Sequence, residues 1–471
     1  MITLIFGAIL LASMALAITN WRYGWLAAVV CGILQDPVRK LTPGTPPALS
    51  MSIVAVYAVI LFAAVASLQR NRVDFSKRFP NLYSLIALFL IILVFAAMNG
   101  LATFGIGLWQ VPALSLLTYL IPIPAVLLGY SWLTSEEQIV RFFTFYAIIT
   151  SIAMIGTPLE YVRFSSPVLG VVAMPGDFIR HLPGIQIRIL SGIYRAPDIM
   201  GWHAATLTAV GVTMAVRARV LTKAWPWILV VAWGFLNCMI SGRRKAVYMV
   251  AVFVGVFLWR YLRRIRTAQV ALILILGLVL GVVLNQIRSS EQSEVYARGA
   301  GTTRGELLQR LEGGVVGTLQ EGSYLGAGLG SATQGVRHIS GRSQDFGWQE
   351  GGLAKLALEL GLHGLIVAAL LAWALVRMML RITAVGDIPG TSQLIRVALF
   401  ALVVANISNF LASAQAYSDP VLTLMTAFFM GALFATATLD ERLRESEQSA
   451  AGGARENAAA SPAPSALPAA P

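Results

Sequence analysis

The sequence predicts an all-α polytopic membrane protein, and three observations carry that prediction. Of the 471 residues, 57% are hydrophobic and only 12% are charged. The mean hydropathy is +0.74, which a soluble protein could not bury. Apolar runs close to the roughly 20 residues that cross a bilayer recur along the chain. Helices satisfy their own backbone hydrogen bonds in lipid, so we expect each run to be a helix.

The apolar runs predict about twelve or thirteen transmembrane helices. The first run has neither a charged leading segment nor a small-residue cleavage site, and we interpret it as a retained helix. The second is short and is expected to cross only in part. The predicted spans are 2–19, 23–35, 51–68, 81–99, 111–131, 139–158, 199–216, 225–240, 245–260, 268–286, 351–376, 395–413 and 419–437.

The distribution of basic residues predicts which loops face the cytoplasm. Four short basic loops, 69–79, 216–224, 259–267 and 376–396, fit a cytoplasmic position under the positive-inside rule. Alternation then places the other loops outside: 36–50, 100–110, 159–198, 241–244, 287–350 and 414–418. Residues 1–437 would form the transmembrane domain. The Ala/Pro-rich residues 438–471 are expected to be a disordered cytoplasmic tail.

One cationic stretch lies on the side where that rule disfavours it. The sequence "SGRRKA" covers residues 241–246, and the outer loop 159–198 is also cationic, with Arg163, Arg180, His181, Arg188 and Arg195. These cations could extend to lipid phosphates, as interfacial side chains often do. Alternatively, paired arginines could bind a phosphate or diphosphate through bidentate hydrogen bonds.

The predicted outer loop 287–350 is the only long one, and long loops are often functional. Residues 303–320 have the spacing of an amphipathic helix at the membrane interface. Residues 323–341 are rich in glycine, which would allow the backbone to approach a ligand closely. His338 and Glu350 are candidate bases in this loop, and Arg288 is a candidate substrate-binding cation near its start.

Several classes of site are not predicted. Cys31 and Cys238 offer neither a disulfide framework nor metal-ligand spacing, so we expect no metal. The chain has no phosphate-binding loop, no dinucleotide fingerprint and no zinc-protease motif. The net charge of +13 is interpreted as loop topology rather than nucleic-acid binding. His203 and His363 lie inside predicted spans, where we expect packed residues.

Five stretches together resemble the O-antigen ligase and polysaccharide polymerase superfamily of bacterial inner-membrane proteins. They are "GILQDPVRKLTPGTP" (32–46), "RILSGIYRAPDIMGWHAA" (188–205), "SGRRKA" (241–246), "YLGAGLGSATQG" (324–335) and "EGGLAKLALELGLHGLI" (350–366). The resemblance implies a GT-C-like, metal-independent, inverting glycosyltransferase without a cofactor. Its donor would be an undecaprenyl-diphosphate-linked glycan. Its acceptor glycan would be lipid-linked or lipid A-core. Membrane lipids and other polysaccharide-assembly proteins would be further partners, and nucleic acid would not.

The resemblance also implies roles for individual residues. Donor diphosphate would be held by Arg195 or nearby Arg188, and by Arg244 or its neighbour Arg243. Lys245 and Arg288 are further substrate-binding candidates.

Ligases commonly carry a histidine nine residues before the glutamate of "ELG", which is Glu359 here. The chain has Glu350 at that position. Either Glu350 or His338 would then be the base, or no strong base is needed. This departure favours a polymerase over a lipid A-core ligase. A transporter or flippase of an anionic lipid-linked glycan is the alternative, although no internal repeat is evident.

Overall fold

The structure is a computed structural model. It describes residues 1–172, 179–182, 185–218, 220–261, 277, 312–322, 324–333, 351–385 and 391–439. The described part is helical apart from short irregular segments and one hairpin, in which β1 (Ile179–Leu182) pairs antiparallel with β2 (Ile185–Arg188). The helices are α1 (Ile2–Thr19), α2 (Trp21–Leu41), α3 (Ser52–Ala63), α4 (Val65–Arg78), α5 (Pro80–Phe104), α6 (Gln110–Leu120), α7 (Pro122–Trp132), α8 (Glu136–Ala153), α9 (Gly156–Tyr161), α10 (Pro197–Ala218), α11 (Leu221–Ile240), α12 (Arg244–Tyr261), α13 (Thr318–Gly322), α14 (Gly352–Ala384), α15 (Gln393–Ala412) and α16 (Pro420–Thr436).

Eight helical segments among the described residues are long and apolar enough to cross a membrane. The prediction of an all-helical polytopic membrane protein is therefore confirmed. The segments are Ile2–Thr19, Pro80–Phe104, Gln110–Trp132, Glu136–Tyr161, Pro197–Ala218, Leu221–Ile240, Gly352–Ala384 and Gln393–Ala412. A bent pair, Pro47–Ala63 with Val65–Arg78, would make a ninth.

The count of twelve or thirteen spans stays a prediction. Most of the remaining predicted spans coincide with helices that fall short of a full apolar span: α2 and α12 carry charges at their ends, and α16 has 17 residues. The predicted span 268–286 lies outside the described residues except for Gly277.

The core is built around α10, which is buried along nearly its whole length. It packs against α8, α11, α12 and α15. A helix that is apolar on every side is buried within the bundle rather than exposed to lipid. Because α10 runs through the core, its N-terminus lies at one end of the bundle. At the other end, Arg217 near its C-terminus forms a salt bridge with Glu136.

Helices α7 and α16 approach each other through glycines. A Cβ atom at Gly129 would collide with the Phe428 carbonyl, and one at Gly431 would collide with the Val126 carbonyl. Small residues permit such close backbone contact in membrane helices. Helix α16 begins at Pro420, whose fixed φ suits the first helical position, and Asp419 caps it by accepting from Val421 N at 2.7 Å.

The predicted cytoplasmic loop 69–79 is helical, which differs from the prediction of a connector. The helix is interrupted at Ala64, where the chain bends by 77°. Helix α4 then runs from Val65 to Arg78. Its apolar side is anchored by Phe75, which is buried, while its basic residues are mostly exposed. A polar helix with one apolar face is stable at a membrane interface, which the run of charges alone did not reveal.

Candidate functional site

Arg195 joins three distant segments of the chain through two carboxylates. Its Nη1 lies 3.1 Å from Asp36 Oδ1, and its Nη2 lies 2.6 Å from Asp419 Oδ2. The backbone N–H of Arg195 also donates to Asp36 Oδ2 at 3.1 Å. Burial lowers the pKa of the guanidinium, but the charges of Asp419 and Asp36 outweigh burial and raise the pKa above its ordinary value. This arrangement fixes the end of α2 and the start of α16 against the segment before α10.

The last turn of α2 places two more cations beside Arg195. Arg39 donates from Nε to Thr45 O at 3.1 Å and from Nη1 to Ser50 Oγ at 2.9 Å. Lys40 donates from Nζ to Val168 O at 3.0 Å and to Gly192 O at 2.8 Å. Cations at a helix C-terminus are favoured by the helix dipole.

Glu160 organises the loop that carries Arg195. Its Oε2 accepts from the backbone N–H groups of Ser191 at 3.0 Å and Gly192 at 2.6 Å. Gly192 has a φ of +57°, a left-handed conformation that glycine adopts without strain. The positive charges of Lys40 and Arg188 act on the same carboxylate. This buried acid therefore holds a tight turn directly before Arg195.

The "SGRRKA" stretch lies against the start of α10. Arg243 Nη2 lies 3.2 Å from Asp198 Oδ2, and Lys245 Nζ lies 2.7 Å from Asp198 Oδ1. Lys245 also donates to Ser413 Oγ at 2.7 Å, which ties α12 to the turn before α16. Gly242 makes the turn between α11 and α12 with a φ of +71°. Arg244 is half-buried and is the first residue of α12.

Several of the predicted outer cations are thus brought together at one end of the bundle. Arg163 is exposed and is not among them, and the side chains of Arg180 and His181 lie outside the described residues. We call this surface the cationic cluster. Its cations are Arg39, Lys40, Arg188, Arg195, Arg243, Arg244 and Lys245, and its acids are Asp36, Glu160, Asp198 and Asp419. The cations outnumber the acids, so the cluster as a whole favours an anion.

An apolar groove of about 480 Å³ adjoins the cationic cluster. It is lined by α2, α8, α9 and the segment 164–169, and the exposed side chains of Ile152, Ile155 and Phe164 stand at its open side. Its lining includes Val168, whose carbonyl accepts from Lys40. A lipid chain lying in this groove would therefore have its head near the cations.

A second buried polar centre surrounds Glu359. One carboxylate oxygen, Oε1, accepts from Ser115 Oγ at 3.1 Å and Thr333 Oγ1 at 2.7 Å. The same oxygen accepts from the backbone N–H groups of Gly330 and Ala332 at 3.2 and 3.3 Å. The other oxygen accepts from Tyr119 OH at 2.6 Å. This carboxylate holds the glycine-rich segment between α6 and α14.

The glycines of that segment serve contacts with helices. A Cβ atom at Gly326 would lie 2.6 Å from Gly361 N, and one at Gly328 would collide with the backbone of Gly100 in α5. Gly361 itself kinks α14, with φ 68° and ψ −168°. Close backbone approach to a ligand was expected, and within 324–333 the close contacts are with α5, α6 and α14. Of the predicted amphipathic helix 303–320, the described part is a π-helical turn, Glu312–Gly317, followed by α13.

The structure leaves part of the predicted site undescribed. Glu350, His338 and Arg288 all lie outside the described residues, so their roles as base and substrate-binding cation stay predictions. His203 is buried in α10, where Nδ1 lies 2.9 Å from Tyr146 OH and the ring stacks on Tyr194. It is a packed residue, as its position in a span indicated.

The sequence analysis assigned no role to the acids Asp36 and Asp419, or to the two cations at the end of α2. Asp36, Arg39 and Lys40 all lie in the "GILQDPVRKLTPGTP" stretch, which was a signal for this region without an assigned role. Asp419 lies at the start of a predicted apolar span, where no role was predicted for it. Nothing in the sequence pairs it with an arginine more than 200 residues away.

Among the described ranges, no group of three or more His, Cys, Asp or Glu side chains could hold a metal ion. The fold and the site together define the class of the protein: it is an all-helical polytopic membrane protein with a cationic cluster at one end of its bundle. No protein-family model matches the chain, and neither a curated protein nor a solved structure matches it. The superfamily resemblance stays a prediction from the five motifs.

Proposed function

We propose that the protein transfers a glycan from a polyprenyl diphosphate to an acceptor hydroxyl at the periplasmic face of the bacterial inner membrane. The observation that carries the proposal is the cationic cluster beside an apolar groove whose open side has exposed apolar side chains. A polyprenyl diphosphate has the matching chemistry, because it joins a long apolar chain to two adjacent phosphates. A polymerase of exopolysaccharide or O-antigen repeats is the preferred form, because Glu350 replaces the histidine common in ligases.

The cations would act on the leaving group. As the acceptor oxygen bonds to C1 of the donor sugar, the bond from C1 to the diphosphate oxygen breaks and negative charge builds on the diphosphate. Cations already fixed in place stabilise that charge without reorganising, and such stabilisation often lowers the barrier more than any other effect. Attack from the face opposite the diphosphate inverts C1. The hydroxyl proton would pass to Glu350 or His338.

Arg195 and Arg244 would have different tasks. Arg195 already donates to two carboxylates, so its main contribution is to position Asp36, Asp419 and the loop between them. Arg244 begins α12, where the N-terminal N–H groups and the helix dipole also favour a phosphate. We therefore assign the direct diphosphate contact to Arg244, with Arg243 next to it in the chain.

The proposal is tested with the full-length protein purified in detergent and supplied with an undecaprenyl-diphosphate-linked oligosaccharide. We expect lengthened glycan and free undecaprenyl diphosphate in equal amounts, unaffected by a chelator. Arg244→Ala should lower the rate at least about a hundredfold, the size of losing one preorganised charge contact. Arg141→Ala is the matched control, because Arg141 is exposed and pairs with Glu137 in the same helix, α8.

The detergent assay and a second assay in reconstituted vesicles together separate an enzyme from a carrier. Product formed in detergent requires an enzyme, because no compartments exist there. Movement of the labelled donor across reconstituted vesicles without any new glycosidic bond would instead establish the flippase alternative, and the transfer proposal would then be wrong.

A further inference from the structure

A second, larger apolar groove lies beneath α4. Its volume is about 590 Å³. Helices α4, α5, α7, α14 and α16 all contribute to it, and its apolar lining includes Leu82, Ile86, Leu127, Leu371, Met430 and Phe434. Most of these side chains are half-buried, so the groove is a depression in the membrane-facing surface.

The groove has the depth of one membrane leaflet. Helix α16 lines it from Thr423 to Phe434, which is about 16 Å at the helical rise of 1.5 Å per residue. Half of the hydrocarbon thickness is about 15 Å. A single acyl chain extended from the membrane surface would therefore reach from one end of the groove to the other.

The hydroxyl protons of the polar side chains at the deep end are already donated within the bundle. Thr426 Oγ1 donates to Asn406 Oδ1 at 2.9 Å, and Tyr417 OH donates to Asn406 O at 2.8 Å. Thr423 Oγ1 donates to Tyr417 O at 2.9 Å. The deep end of the groove therefore has no hydroxyl proton to spare at these three positions, and the rest of its lining there is apolar.

The other end of the groove opens at a basic helix. Arg72 lines the groove there, and its Nε and Nη2 donate to Tyr83 OH at 3.0 and 2.7 Å. Helix α4 also carries Arg70, Lys77 and Arg78. Its only acid, Asp74, already accepts from Arg78 and from Tyr130 OH at 2.7 and 2.6 Å. An anionic head group would therefore meet an excess of positive charge at this end.

We propose that this groove is a binding site for an anionic phospholipid of the cytoplasmic leaflet. Its phosphate lies at Arg72, and one of its two acyl chains fills the groove. The bend of 77° before α4 lays a basic, amphipathic helix across the head-group region, where such helices bind anionic lipid. The site involves none of the residues of the cationic cluster, so it does not depend on the proposed glycan transfer.

The test is lipid binding by the full-length protein in detergent, followed by native mass spectrometry. The probes are phosphatidylglycerol and phosphatidylcholine with identical acyl chains, and inorganic phosphate. We expect phosphatidylglycerol to bind more tightly than phosphatidylcholine. Arg72→Ala should weaken phosphatidylglycerol about fivefold, the effect of one cation near an anionic head group. Phosphatidylcholine should be weakened less, because its choline offsets the charge of the phosphate. Ala87→Trp, which places an indole in the groove, should weaken both lipids.

Arg141→Ala is the control for a general loss of surface charge and should bind both lipids as the wild type does. Equal binding of the two lipids to the wild type would overturn the proposal. So would an unchanged preference in Arg72→Ala, or inorganic phosphate that competes with phosphatidylglycerol. Because Arg72 is exposed, loss of folding is not expected to obscure the result.

Discussion

Replacing Arg195 with alanine is expected to destabilise the protein by about 3–5 kcal/mol and to abolish glycan transfer. The change would leave Asp36 and Asp419 buried without the guanidinium that pairs with both, and uncompensated buried charges cost that much. Thermal unfolding in detergent measures the first effect, and the purified transfer assay measures the second.

Two further variants separate charge balance from geometry. Arg195→Lys keeps the charge, but one ammonium on a flexible stem cannot donate to two carboxylates as the planar fork does, so recovery should be partial. Arg195→Met combined with Asp36→Asn and Asp419→Asn removes all three charges and should recover much of the stability without recovering transfer. An Arg195→Ala protein as stable as the wild type would contradict the bridging role.

Replacing Glu359 with leucine is expected to release the glycine-rich segment 324–333 from the helices. Leucine leaves three hydroxyls and two backbone N–H groups without their acceptor, and each unsatisfied buried donor costs about 1–3 kcal/mol. The backbone N–H groups of Ala327 and Leu329 donate to Leu358 O and Ala96 O at 2.7 and 2.9 Å, so they report docking directly. Hydrogen exchange at these amides should accelerate strongly.

Glu359→Gln tests whether the segment 324–333 is held by the hydrogen bonds that Glu359 accepts or by its negative charge. Its single carbonyl oxygen can still accept most of these bonds, so exchange should rise much less than in the leucine variant. Glu137→Leu, at an exposed position on α8, is the control and should leave exchange of residues 324–333 unchanged. Unaltered protection in Glu359→Leu would show that the segment is held by backbone contacts alone.

The class of protein could be predicted from the sequence because the bilayer imposes a simple rule. A run of apolar residues close to the bilayer thickness has few alternatives to a helix, and the described helices follow those runs. Most of helix α4 was predicted to be a loop, because a run of closely spaced charged residues is typical of a loop between two membrane spans. Its spacing places Phe75 toward the bundle, and Asp74 accepts a hydrogen bond from Tyr130 there. These tertiary contacts show that the segment is packed.

The candidate site could be predicted only in part. Cations of the predicted outer loops and of the adjoining "SGRRKA" stretch were expected at one end of the bundle, and Arg195, Arg243 and Lys245 are found there. Their carboxylate partners come from other helices, and pairings such as Arg195 with Asp419 depend on tertiary packing that no local spacing encodes.

The glycine-rich segment shows the same limit. Glycine allows another group to approach the backbone closely, but it does not specify which group. A ligand site and a contact with a helix backbone therefore have the same pattern of glycines in the sequence. The contacts of Gly326 and Gly328 identify helices α14 and α5 as the partners.

The central claim is that the cationic cluster faces the periplasm, where lipid-linked glycans are joined. The most direct measurement is labelling of an Arg244→Cys variant in intact spheroplasts with a membrane-impermeant maleimide. Wild-type Cys31 and Cys238 are buried and should contribute no background. Lys223→Cys, exposed near the start of α11 at the opposite end, is the control. We predict labelling at 244 from outside and at 223 only after permeabilisation; the reverse pattern would contradict the claim.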